Sequence, residues 1–255
     1  MKRLCSELVA TFQFDETTDE HRQVTELSQK LEDVLLLASF AARQRCVCLG
    51  WEFHSPSHYV RQYFRNKTLP ENSSRKTIRT GEEIITLADF KEFMGHTYPI
   101  FMRYSEAAAL RRAVSFVIPR QREILESSFL RLWSALEMLI LPYRTKRVRL
   151  RESFDKFCEQ NDVLLTDLWP VVTNDGGPSL YKIRNMLAHG EYFGSKHYRA
   201  LMYANVHLAW TIERMILGLL GWQVERSTVS PANLADQYPY QTWREDRTLL
   251  TGVRG

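Results

Sequence analysis

RQREILESSFLRLWSALEMLIL, residues 120–141, is the stretch on which the fold turns. Ile124, Leu125, Phe129, Leu132, Leu136, Leu139 and Ile140 recur at helical spacing, and Pro142 closes the run. A stripe of that period is the buried face of an amphipathic helix. Such a face needs other elements to cover it, and the flanking sequence supplies helices on both sides. Downstream, LRESFDKFCEQ (150–160) reads as a shorter helix and 163–172 as another small one. The NDGGPS turn (174–179) then breaks the chain and restarts a helix at Pro178 or Ser179, which runs to Gly190. A long helix over about 195–220 carries Leu201, Leu208, Ile212, Met215 and Leu219 and stops at Gly221. Upstream, 88–110 reads as one helical stretch bent near Pro99.

The N-terminal third differs in pattern. Residues 22–42 have helical spacing at Val24, Leu27, Leu31, Val34, Leu35 and Ala38. Two strand-like runs follow, 45–53 and 58–66, around the Ser/Pro turn 55–57, as in a hairpin. The polar stretch 67–82, with Pro70 and Gly81, is the best boundary. The expected organisation is therefore a helix and β-hairpin module (1–82), an antiparallel helical bundle (83–222) and an extended, polar tail (223–255) that packs loosely or on a partner. The fold class is mainly α.

Composition narrows the functions. With 44% hydrophobic and 25% charged residues the chain can bury a substantial core. Its longest apolar run, VLLLASFAA (34–42), is nine residues, far below the roughly 20 a spanning helix needs. Ser6 and Glu7 interrupt any leader-like apolar segment. Four cysteines do not make a disulfide framework, and a reduced, cytoplasmic setting is expected. Cys46, Cys48, His54 and His58 are zinc-type residues, but a single residue separates the cysteines where zinc fingers place two to four. The alternation of Val47, Leu49, Trp51 and Phe53 favours strand cysteines and loop histidines instead. The net charge of +4 is uneven: residues 103–151 hold eleven Lys/Arg against four acids. Such an excess suits a polyanion.

The chemistry concentrates in YKIRNMLAHGEYF, residues 181–193. Leu180, Ile183 and Leu187 mark a core face, and Asn185 and His189 are i, i+4 neighbours on another. Arg184 and His189 sit about 140° apart on an ideal helix, flanking a cleft rather than stacking. Either the helix loosens at Gly190 or a second copy of the helix completes the site. A capped helix end explains the same residues without chemistry: His189 meets the helix dipole, Gly190 supplies the left-handed turn and Arg184 is solvated.

RNMLAHGEY (184–192) resembles the signature of the HEPN superfamily, an Arg followed by a polar residue and by a His four to six positions beyond the Arg. Ala188 and Gly190 suit the Apea-like branch, and SFLRLWSALEMLI (128–140) is similar to the helix that precedes the motif there. The resemblance covers about 83–222 and, more weakly, the helix and hairpin upstream. It implies a metal-independent endoribonuclease without cofactor, acting as a homodimer whose motif helices meet across a two-fold axis. Arg184, Asn185 and His189 would be catalytic, on RNA such as tRNA, in phage defence or a toxin-like stress system with a regulatory or antitoxin partner. An imidazole can move the proton of a ribose 2′-OH, and a guanidinium can hold the phosphate. Glu137 either pairs with Arg184 and holds it in place or is an ordinary helix-surface charge. Arg144, Lys146, Arg147, Arg149 and Arg151 either grip the RNA backbone or form a solvated loop. His197 and Tyr198 either line the cleft or cap the last helix, and Trp133 and Trp210 read as core. A non-catalytic RNA- or nucleotide-binding dimer and a protein-interaction scaffold are the alternatives.

Overall fold

A computed structural model of the chain describes residues 20–48, 50–54, 59–63, 83–120, 123–144, 149–173, 178–191, 193–248 and 250. Among these the protein is mainly helical. The helices are α1 (Glu20–Ala41), α2 (Leu87–Arg103), α3 (Ala107–Val117), α4 (Leu125–Ile140), α5 (Leu150–Gln160), α6 (Leu180–Ala188), α7 (Tyr198–Leu219), α8 (Pro231–Leu234) and α9 (Tyr238–Thr248). Strands β1 (Gly50–His54) and β2 (Tyr59–Tyr63) pair antiparallel, with Glu52 opposite Arg61 and their side chains ion-paired. Arg45–Cys48, expected in the first strand, have no regular structure. The turn 55–57, residues 64–66 and the loop 67–82 lie outside the described residues. No described helix is long and apolar enough to cross a membrane.

α7 forms the axis of the bundle. Every residue from Tyr203 to Leu217 is buried, the signature of a helix covered on all sides. α3, α4, α6 and α9 pack against it. Several of its buried polar residues are matched from neighbouring elements. Asn205 donates to the Leu125 carbonyl at the start of α4 (2.9 Å), and Arg214 grips Asp167 through two bonds of 2.7 and 2.8 Å. α1 packs on α2 and α3, and its core residues Leu37, Phe40 and Ala41 join the same hydrophobic cluster as the bundle. Arg43, just past α1, reaches Glu213 of α7 with bonds of 3.0 and 2.9 Å.

Four further expectations need correction. The stretch 88–110 is two helices, because the chain breaks at Tyr104–Glu106 and passes through Pro99 without ending. Tyr104, Ser105 and Glu106 carry no strong stop signal, and Phe101 and Leu110 on either side of the break are both buried in one core. The helix expected from 120 begins only at Leu125. Pro119 directs the preceding residue, Ile118, into extended backbone, and Ile124 is likewise extended and 66% exposed rather than on the buried stripe. Residues 163–172 form turns instead of a helix, since Pro170 lacks an amide donor and the Trp169 N–H goes to His207 Nδ1 (3.2 Å). Finally, 223–248 is not an extended tail. α9 lies along α7, and Trp243 is buried with its ring stacked on Trp169 (centroids 5.8 Å apart). Aromatic residues at 238, 240 and 243 supply the apolar contacts that the polar average concealed.

Candidate functional site: the end of helix α6

α6 is fixed at both ends. At its start the Ser179 hydroxyl accepts the Lys182 N–H (3.3 Å), and the Pro170 and Val171 carbonyls accept the Leu180 and Tyr181 N–H groups (3.0 and 2.9 Å). Three amides that a helix start leaves unpaired are thereby satisfied. At its end Gly190 N–H donates to Leu187 and Glu191 N–H to Met186 (3.1 and 3.0 Å), with Gly190 at φ +77°. This paired closure through a left-handed residue is the Schellman motif. The capped end is therefore present, and His189 stands one residue beyond the helix, at φ −88° and ψ 4°. Leu180 and Ile183 are buried, with Met186 and Leu187 packed more shallowly.

Arg184 faces α4 and is bonded to its neighbour Asn185. Arg184 Nη1 donates to Asn185 Oδ1 (3.2 Å), and Nη2 lies 3.8 Å from Glu137 Oε1. Both charged side chains of that pair are 35% exposed, so the pair contributes only about 0–1 kcal/mol. Its consequence is orientation: the guanidinium is aimed, yet keeps donors free for a ligand. His189 is exposed and forms no side-chain hydrogen bond or ion pair with any described residue. Arg184, Asn185 and Glu137 are thus brought together. His189 stands near them in sequence, one residue past the helix, without touching them.

The basic run leaves the same end of α4. Beyond Glu137 the chain makes a 3-10 turn at Leu141–Tyr143, held because Tyr143 packs edge-on to Phe157 and its hydroxyl accepts from Asn161 Nδ2 (3.2 Å). Arg144 and Arg149, on either side of the undescribed residues, are exposed without a side-chain partner among the described ones. Arg151 makes a surface pair with Asp155 (3.4 Å). Lys146 and Arg147 lie outside the described residues. Part of the positive excess is structural rather than available: Arg111 pairs with buried Asp33 (2.6 Å), and Arg131 with Glu123 (2.6 Å).

Other candidates separate. His197 precedes α7 without a side-chain cap bond and packs edge-on to Phe193, while Tyr198 is exposed. Trp133 and Trp210 are core. The Cys46 and Cys48 thiols donate to the Gln44 and Gly50 carbonyls (3.9 and 3.2 Å), and burial pushes the Cys46 thiol up. The His54 side chain and His58 fall outside what is described. Among the described residues no three His, Cys, Asp or Glu side chains are grouped to hold a metal.

Sequence reasoning overlooked the buried polar groups of α7. His207 Nδ1 accepts from Trp169 and Nε2 donates to the Pro239 carbonyl (2.9 Å), which requires the neutral ring. Burial drives its pKa down to about 4, against the opposing effect of the Pro239 bond. The available signal was ionisable residues (His207, Glu213, Arg214) within a helix that lacks a polar face. Comparison with protein-family models, curated proteins and solved structures returned no significant match, so the functional reading rests on the residues themselves.

Proposed function

We propose that the protein is a metal-independent endoribonuclease of HEPN type, the bundle carrying the site and α1 with the β element forming its N-terminal module. The observation that carries the reading is the end of α6: an aimed, one-third exposed Arg184 on the helix and, one residue past its end, an exposed His189 with no described side-chain partner. The resemblance of RNMLAHGEY to the HEPN signature and the exposed Arg144 and Arg149 at the neighbouring end of α4 support it.

In this reading Arg184 holds the scissile phosphate, and Asn185, already bonded to Arg184, limits the motion of the guanidinium. A neutral His189 imidazole takes the proton of the ribose 2′-OH, whose oxygen attacks the adjacent phosphorus. The bond to the 5′-oxygen breaks, and that oxygen leaves with a proton given by the imidazolium of a second copy's His189. The products are a 2′,3′-cyclic phosphate and a 5′-OH, and no water or redox partner is consumed. A homodimer about the α6 ends, RNA as substrate, and a regulatory or antitoxin partner in a defence or toxin-like system belong to the same proposal. Incubating total RNA and tRNA with wild type and His189→Ala, both in EDTA, tests it. Discrete cuts by wild type alone are expected; identical RNA patterns for the two proteins would contradict it.

A further inference from the structure

Helices α4 and α6 meet in two successive layers. In one, Glu137 faces Arg184; in the other, one turn earlier on both helices, Trp133 faces Tyr181, their ring centroids 6.0 Å apart at 41°. The two helices therefore run in the same direction where they touch. Trp133 is buried at 2% exposure, while Tyr181 is 39% exposed and is among the large apolar side chains that the described residues leave open to solvent. Tyr181 therefore packs against a buried ring and is also open to solvent. Tyr181 lies at i−3 from Arg184 and i−4 from Asn185, positions whose Cβ atoms are about 5–6 Å apart on a helix. That spacing suits a nucleobase and a phosphate joined by one ribose.

We propose that Tyr181 is a stacking platform for an unpaired nucleobase next to the phosphate held by Arg184, which makes single-stranded RNA the substrate class. The proposal rests on the ribonuclease reading above. Stacking on an aromatic ring needs a base free of its helix and tolerates any base, because each has a π-face. A base inside a duplex is already stacked on both faces and cannot use the ring. Tyr181 is thus a selector for loops and single strands rather than for sequence.

The test is binding of a fluorescein-labelled 2′-O-methyl oligoribonucleotide, which lacks the attacking hydroxyl, to the full chain by fluorescence anisotropy. Tyr181→Ala should weaken single-strand binding about 10-fold, and Tyr181→Leu, which still covers Trp133, should weaken it similarly. Tyr181→Phe should bind within about 2-fold of wild type, since the ring and not the hydroxyl is required. The same oligonucleotide annealed to its complement should bind wild type and Tyr181→Leu equally. Unchanged single-strand affinity in Tyr181→Leu overturns the platform, as does an equal loss with the duplex. Cleavage is scored separately on unmodified RNA. Ring-dependent binding without any cleavage removes the ribonuclease reading and keeps the platform; cleavage by Tyr181→Leu with wild-type KM does the reverse. A wild type that binds no single-stranded RNA overturns both.

Discussion

At Arg184 and His189 a stability role and a catalytic role predict different behaviour on substitution. Arg184 is one-third exposed, and His189 has no described side-chain partner, so replacing either with Ala should leave the helical circular-dichroism signal and the unfolding midpoint nearly unchanged. Cleavage should fall to background in each single variant, and the double variant should be no worse, as for residues acting on one phosphate. Additive partial losses would separate their roles. Arg43 is the opposite case. It ends α1 in a left-handed conformation (φ 47°) where glycine is usual, and its bidentate bond to Glu213 is buried on both sides (4% and 0% exposed). Arg43→Ala would leave the Glu213 carboxylate without that partner in the core, and denaturant unfolding should show a loss of about 3–5 kcal/mol. A loss under about 1 kcal/mol would mean the pair is dispensable. Both residues were visible in the sequence, but only Arg184 carried a signal. Arg43 pairs across 170 positions, and nothing local records that partner.

At the scale of elements, amphipathic stripes were legible and helix ends less so. α5 and α6 stand where periodicity, Ser179 and Gly190 put them, because their signals are local. The break between α2 and α3 was hidden because no strong local stop signal marks it, and α9 because its apolar contacts are tertiary. α9 also bears on the site. Its Pro239 carbonyl accepts from His207, its Trp243 covers Trp169, and Arg247 Nε donates to the Pro178 carbonyl (2.5 Å) just ahead of α6. The junction should be acid-sensitive. An unfolded His titrates near about 6.5 and His207 in the fold at about 4, so between those values the unfolded chain binds more protons. Stability is then full above the unfolded value and falls as pH drops towards the folded one. From pH 7 to pH 5 this group should remove about 2 kcal/mol. Urea unfolding at both pH values should show that fall, and His207→Gln should reduce it; an equal fall in the variant would assign it to other groups.

At the scale of the whole molecule, one chain presents a single α6 end, with Arg184 aimed by α4 and His189 one residue past the helix. The proposed reaction moves two protons, one from the 2′-OH and one to the departing 5′-oxygen, and the proposal assigns the other imidazole to a second copy of α6. Light scattering should therefore report a dimer at concentrations where RNA is cut; efficient cutting by a monomer would remove the shared site. The mainly helical bundle was readable because most of its helices, α4 above all, have an apolar face of their own. The central place of α7 was not, since a helix buried all round shows no stripe for periodicity to find. The claim that the substrate's own 2′-OH is the nucleophile meets its most direct test in one RNA. A substrate with a mapped cut is remade with a single 2′-deoxy sugar on the 5′ side of that cut and digested in excess EDTA. Loss of that cut alone, with 2′,3′-cyclic phosphate ends at all remaining cuts, is the predicted result. Cleavage at the deoxy position, leaving a 5′-phosphate, would contradict the reading.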